Sequence, residues 1–267
     1  MNLEMVDWSI IGPAIVAGLL VLSTHVPLGQ EVLKRGIIFI DLAIAQVAGL
    51  GVLAAGVWGW EDNHLAVQFS AVSAALIAAA GLNWTEKRWP RSQEPLIGIL
   101  FVLAATGSIL LLAENPHGGE HLKDLLVGQI LWSTWSMLVP IALLYLVILF
   151  AWFLGRNRIG QFGFYVTFAF AVTASVQLVG VYLVFASLII PALASRRMNG
   201  VPRLVAGYMI GAVSFLIGIV LSALFDMPTG AVTVWTMAAV SIVAGLWIGH
   251  RQNNIHGKQS GTASQSD

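Results

Sequence analysis

Asp41 places a carboxylate in an otherwise apolar stretch, GIIFIDLAIAQVAGLG. At the centre of a membrane helix such a group costs roughly 2.5–3.5 kcal/mol on insertion scales, so it normally faces a cavity or a partner. Two kinds of chemistry fit. One is cation or proton handling along a path. The other is structural: a pair with Lys34 or Arg35, one to two helical turns away, or a hydrogen bond to a neighbouring helix. Gln46 follows five residues later, about 140° around a helix of 3.6 residues per turn, so the two share a path only if it wraps the helix. The Gln177 amide, just ahead of Gly180, either lines a conduit or satisfies backbone groups freed at a helix break. His25, beside Pro27, reads as a structural residue at the inner end of the first span.

A second set of candidates lies between spans. The stretch ENPHGGEH carries Glu114, His117, Glu120 and His121, and Glu61, Asp62 and His64 fall on the same side. Imidazole and carboxylate are zinc or manganese ligands. The H-x3-H spacing converges only on a helix, however, and Gly118-Gly119 oppose one, so a solvated acidic loop is the expectation. No G-x4-G-K-[ST] occurs, so ATP would be used by another chain. The absence of cysteine excludes disulfides and thiolate metal sites. Neither H-E-x-x-H nor a nucleophile with its base falls within a span, which argues against an intramembrane enzyme.

The elements that must position these residues follow from composition. The chain is 58% hydrophobic and 10% charged, with mean hydropathy +0.84, far from a soluble domain. Basic and acidic residues balance at 13 each, giving no reason to expect a nucleic-acid partner. About 20 apolar residues cross a hydrocarbon core of about 30 Å. Such runs fall near 8–28, 36–58, 65–83, 95–113, 127–154, 162–195, 204–225 and 231–249. The first lacks a basic leader and an A-x-A site, so it reads as a retained span. The run 162–195 is too long for one crossing and holds a turn at Val179-Gly180-Val181. The expectation is an all-α polytopic membrane protein with eight or nine crossing or re-entrant helices. Residues 1–250 form the membrane domain and 251–267 a polar, disordered tail.

Charge sets the orientation. Lys34/Arg35, Lys87/Arg88/Arg91, Arg156/Arg158, Arg196/Arg197/Arg203 and Arg251/Lys258 occupy alternate connections. The others carry Glu4/Asp7, Glu61/Asp62, Glu114/Glu120/Asp124 and Asp226, with Lys123 the exception. The positive-inside rule then places the N-terminus outside and the tail in the cytoplasm, and requires 162–195 to go out and return. Small residues (Ala45, Ala48, Gly49, Gly51, Ala71, Ala75, Ala79) read as close helix packing. Trp58, Trp60, Trp84 and Trp89 read as interface anchors. The chain is organised around QLVGVYLVFASLIIPALASRRM, residues 177–198: an apolar run interrupted at Gly180 and Pro191 that ends in Arg196 and Arg197.

Four segments resemble the permease subunits of bacterial ABC importers for zinc and manganese. VPLGQEVLKRGIIFIDLAIAQVAGLGV (26–52) looks like that family's basic turn and second span. EPLIGILFVLAATGSILLL (94–112) is similar to its span opening with an acid. DLLVGQILWS (124–133) resembles its D-L-L…G-x-I-L-x-x-S element, and GVYLVFASLIIPALA (180–194) its G-x-L-L-V-x-A-L-L-I-I-P-A-x-x-A pattern. The resemblance implies a homodimer in the bacterial inner membrane, two cytoplasmic ATPase subunits that bind ATP, and an extracytoplasmic solute-binding protein. It sets the segment around Ile190 to Arg203 against the ATPase, making Pro191, Ala192, Ala194, Arg196, Arg197 and Arg203 the coupling residues. No cofactor would reside in this chain; zinc or manganese would be cargo. The chain departs from the pattern in its second span. Where many members carry an acid and a histidine four apart, Leu42 and Gln46 stand here, and no histidine is expected in any span core. The connection from Arg156 to Gln161 is also shorter. Import of a metal chelate on the same architecture, or a proton-coupled carrier using Asp41, are the alternatives.

Overall fold

Hydrocarbon offers no water to unpaired amides, so a chain this apolar crosses as helices, with every backbone group satisfied within its own segment. The computed structural model describes residues 8–60, 62–113, 118–155 and 160–263, and for Trp8, Gly118, His121 and 249–263 the backbone only. Among these there is no strand. The elements are α1 (Trp8–Arg35), α2 (Ile40–Val57), α3 (His64–Arg88), α4 (Gln93–Leu111), α5 (Gly118–Val127), α6 (Trp135–Gly155), α7 (Gly160–Val179), α8 (Val181–Ala194), α9 (Gly200–Phe225) and α10 (Thr229–Ala263). All but α5 and α8 are long and apolar enough to cross a membrane. The all-α polytopic expectation holds.

Contacts between helix ends sort the bundle into two poles. At one, Arg35 lies 4.2 Å over the Phe164 ring, the Phe39 amide donates to Glu94, Gln93 donates to Tyr165, and Gln30 donates to the Arg203 carbonyl. Lys34, Lys87, Arg88, Arg91, Arg196 and Arg197 flank the helix ends gathered there. At the other pole Gln177 meets Gln68, Ser70 donates to the Gly51 carbonyl, and Ser222 meets Thr229. Asp62, Glu120, Asp124 and Asp226 fall on that side. The alternation of charge read from the sequence thus becomes a basic pole and an acidic pole.

The long run 162–195 divides at Gly180, the residue before α8. With 14 residues, α8 rises only about 21 Å at 1.5 Å per residue. It nevertheless reaches the basic pole, because it starts below the acidic surface. The reason is α5, a helix where the sequence predicts a solvated loop. Leu125 of α5 packs on Gly49, midway along α2, where a Cβ would come within 2.7 Å of it. So α5 sinks into the bundle and ends at Gly128, whose φ of +72° only glycine tolerates well. The helix begins at Gly118 despite the glycine pair, since first-turn amides need no intrahelical partner and packing supplies the rest. The span expected at 127–154 therefore starts later, at Trp135, after a 3-10 turn at Ile130–Trp132. At the other end of the chain, α10 continues to Ala263, through the polar segment whose composition favours disorder.

Gly128 and Gly180 face each other backbone to backbone. A Cβ on Gly180 would overlap the Gly128 amide nitrogen, and one on Gly128 would overlap the Val179 carbonyl group. Other small residues do what their composition suggested. Gly29 lets α1 approach the Leu188 carbonyl, and Ala71, Ala75 and Ala79 are fully buried. Trp58, Trp60, Trp84 and Trp89 are exposed in two edge-to-face pairs, as interface anchors are.

Gly180 has φ +78° and ψ 162°, in a region occupied essentially by glycine and costing other residues on the order of 1–3 kcal/mol before any overlap. Gly180→Ala is expected to lower the thermal unfolding midpoint in detergent by several degrees. Gly98→Ala, in α4 with open space around it, should leave the midpoint unchanged or slightly raised. Equal midpoints for the two variants would remove the Gly128–Gly180 contact as a structural constraint.

Candidate translocation path and coupling surface

Two cavities run along α8. The first, of about 610 Å³, lies between α2, α4, α8 and α10, with Leu42, Gln46, Phe101, Tyr182, Phe185 and Trp235 among its walls. Leu42 and Gln46 are four apart on one face of α2. Gln46 borders this cavity and is 3% exposed, and its side-chain oxygen is buried without a hydrogen-bond partner. The second, of about 690 Å³, continues toward the basic pole between the end of α8 and α10, lined by Leu193, Ala194, Arg196, Arg197, Ser241 and Leu246. Ile190 borders both cavities, so together they follow α8 from the level of Gln46 to the two arginines.

The sequence-level path residues separate in space. Asp41 is fully buried and both its carboxylate oxygens lack hydrogen-bond partners. The expected pair with Arg35 is not made, because Arg35 bonds Glu31 at 3.0 Å and stacks on Phe164. Nor does Asp41 border either cavity along α8. Gln177 lies elsewhere again, exchanging hydrogen bonds with Gln68 near the acidic pole. His25 corrects the expectation that no histidine occupies a span core. Because α1 runs through Pro27 to Arg35, His25 is fully buried ten residues from the helix end, with Thr24 at 3.1 Å from Nδ1 and no partner on Nε2.

At the coupling segment, α8 continues through Pro191 and ends at Ala194, with Ser195 capping it by donating to the Pro191 carbonyl. Pro191 and Ala192 are buried against the chain itself, so they shape the helix end. Ala194 and Arg203 are half-buried, and Arg196 and Arg197 are exposed. Among the outer metal candidates, His64 is exposed in the first turn of α3 and Glu120 is exposed in α5. Glu61, Glu114 and His117, the His121 side chain and the Arg156–Arg158 connection lie outside the described residues. Among the described residues no three His, Asp or Glu side chains converge on a metal site. The sequence reading gave Tyr182, Phe185 and Trp235 no role. Only the spacing of aromatic residues along α8 hinted at a wall.

Comparison with known proteins agrees with this architecture. The chain is 23% identical over 258 residues to the high-affinity zinc uptake system membrane protein ZnuB of Haemophilus influenzae, covering 89% of this chain and 97% of that one. It is 25% identical over 262 residues to the manganese transport system membrane protein MntC of Halalkalibacterium halodurans, covering 90% and 88%. In fold it is similar to PsaBC from Streptococcus pneumoniae, solved with a Fab (TM-score 0.73, 18% identity, 91% and 95% covered). It is also similar to an inward-facing putative metal-chelate type ABC transporter (TM-score 0.65, 19% identity, 90% and 88% covered). The sequence matches the ABC 3 transport family over residues 7–160 and 156–248, and with nearly its whole length accounted for, this chain belongs to that family.

Proposed function

We propose that this chain is the permease subunit of an importer that carries a divalent metal ion, zinc or manganese, inward, driven by ATP bound and hydrolysed on a separate subunit. The observation that carries the reading is the pair of cavities along α8 that share Ile190 as a wall, one bordered by the buried Gln46 and the other by the exposed arginines of the basic pole. The zinc and manganese systems among its relatives support the cargo class. In this reading the basic pole faces the cytoplasm of the bacterial inner membrane. The N-terminus is then outside, and an extracytoplasmic binding protein delivers cargo at the acidic pole. Two copies pair to complete the path, and each ATPase docks at Arg196, Arg197 and the half-buried Ala194 and Arg203. Closure of the ATPases pushes the free end of α8, whose other end is held by the Gly128–Gly180 contact, so the helix tilts and reshapes both cavities it borders.

One observation favours a second cargo. Leu42 and Gln46 stand where a metal-ligating acid and histidine would be expected, and the remaining cavity walls are apolar and aromatic. An amide oxygen is a poor ligand for a transition metal, whereas apolar walls suit an organic chelate. The metal-chelate type neighbour in fold is consistent with it.

Uptake into vesicles holding this chain, its ATPase and its binding protein separates the two. ATP-dependent uptake of free zinc or manganese is expected, and uptake only of a chelated metal would give the second reading. In the same assay Gln46→Leu is expected to lower uptake roughly tenfold, the equivalent of about 1.4 kcal/mol. Asp41→Asn is expected to change it by less than about twofold, as suits a residue off the path. The reverse order would place the path on the other face of α2. Charge reversal at Arg196→Glu with Arg197→Glu should abolish copurification of the ATPase, and retained copurification would move the coupling surface elsewhere.

A further inference from the structure

Where α3 turns into α4, the sequence KRWPR sets Lys87, Arg88 and Arg91 close together at the basic pole. All three are exposed, and among the described residues none makes an ion pair or a hydrogen bond. The acids nearby are engaged elsewhere. Glu86 lies against Tyr165 with one carboxylate oxygen buried, and Glu94 accepts from the Phe39 amide with its second oxygen buried. The C-terminal end of α3 offers about half a negative charge, which leaves most of the three positive charges uncompensated.

The same helix end carries the exposed edge-to-face pair of Trp84 and Trp89, with ring centroids 5.2 Å apart. At the acidic pole Trp58 and Trp60 form a similar pair, yet no lysine or arginine occurs between Arg35 and Lys87. Interfacial anchoring by indoles therefore needs no cation, and the cluster beside Trp84 and Trp89 has a separate cause. A second feature shares its position. Ile77, Gly81, Trp84 and Arg88 recur at i, i+4, i+7 and i+11, so they line one exposed face of α3. Nothing lies within 4 Å of where a Gly81 side chain would begin, which leaves a notch between Ile77 and Trp84.

We propose that this face binds an anionic phospholipid of the phosphatidylglycerol type. Its phosphate meets Lys87, Arg88 and Arg91, and one acyl chain lies along Trp84, Gly81 and Ile77. The order of groups along the helix is the order within a lipid: charge, then the interfacial layer where indoles sit, then hydrocarbon. Arg88 and Ile77 are about 16 Å apart along the axis at 1.5 Å per residue. A soluble anion or a cytoplasmic protein can meet the cations, but only an embedded amphiphile also reaches the notch. The net charge of the lipid matters as well. A zwitterionic lipid brings its own ammonium to a cluster of cations, whereas an anionic one gains from each lysine and arginine near the surface. The site does not depend on which cargo the path along α8 carries.

The two tryptophans provide the readout. Phosphatidylglycerol with brominated acyl chains, titrated into the full-length chain purified in detergent, should quench tryptophan emission saturably. Brominated phosphatidylcholine should act with an apparent affinity about tenfold weaker. Lys87→Gln, Arg88→Gln and Arg91→Gln combined should erase that difference, weakening phosphatidylglycerol and leaving phosphatidylcholine unchanged. Gly81→Leu, which fills the notch with a better helix former, should weaken binding severalfold without lowering the unfolding midpoint. Trp84→Phe with Trp89→Phe should remove the saturable quenching, and Trp58→Phe with Trp60→Phe should keep it. Equal affinity for the two lipids, or saturable quenching that survives loss of Trp84 and Trp89, would overturn the site. So would a triple variant that still prefers phosphatidylglycerol, and its failure to copurify with the ATPase would assign the cations to that partner instead.

Discussion

The contact between Gly128 and Gly180 joins two interruptions of the chain, each with positive φ, through their backbones alone. Gly230 closes on the same point, where a Cβ would overlap the Val127 carbonyl oxygen. Three segments remote in sequence thus meet where no side chain fits. In lipid this form of adhesion is effective, because apolar side chains gain little by leaving hydrocarbon for protein. Close backbone approach instead adds dispersion contacts and lets polar groups face one another. The contact also fixes a depth. It holds the end of α5 and the start of α8 below the acidic surface, so 14 residues suffice to reach the basic pole.

In the proposed coupling, α8 would act as a lever held at its Gly180 end. Along its length α8 is pressed against α1 at Gly29 and the Leu188 carbonyl. Its other side packs on α9 and α10, where Val181, Tyr182, Phe185 and Ile190 border one cavity and Ile190, Leu193 and Ala194 the next. A displacement of the Arg196–Arg197 end therefore changes both cavities together, while the glycine contact resists translation. Pro191 does not break this rod. It sits in the last turn, where the serine cap at Ser195 satisfies its carbonyl. Pro191 and Ala192 thus belong to the packed end of the helix, and Arg196 and Arg197 to the exposed surface just beyond it.

Much of this was legible in the sequence because membrane helices announce themselves by length. The positions of eight spans, the division of the long run at Gly180 and the sorting of charge between two poles all follow from apolar runs and from where lysine and arginine fall. What was not legible has one common cause. The helix α5 is only ten residues long and opens on a glycine pair, so a search for membrane-length apolar runs passes over it. It exists because Leu125 finds the notch at Gly49, a tertiary fact. With α5 unseen, Asp124 falls among the outer acids and at the start of the D-L-L element, with no sign that it borders a cavity together with residues of α2 and α7. The same limit applied to Asp41 and Gln177, which chemistry suggested as partners of Gln46 and packing put in separate places.

Asp41 then needs an account that does not depend on transport. It stands in the first turn of α2, and the amides of that turn, its own and that of Leu42, lie beside it without reaching hydrogen-bond geometry. A helix N-terminus stabilises a negative charge by about 0.3–1 kcal/mol at exposed sites and up to about 2 kcal/mol when partly buried. The insertion cost at mid-membrane is roughly 2.5–3.5 kcal/mol, and a residue this near a helix end incurs less than that. The helix end therefore offsets only part of the cost of holding Asp41 in its buried place. No comparable local term exists for Gln46. It sits in the second turn of α2, past the unpaired amides, and its side chain borders the cavity between α2, α4, α8 and α10. Of the two, it is the neutral residue, on another face of the same helix, that borders the cavity along α8, while the charged one the sequence makes conspicuous is packed away from it.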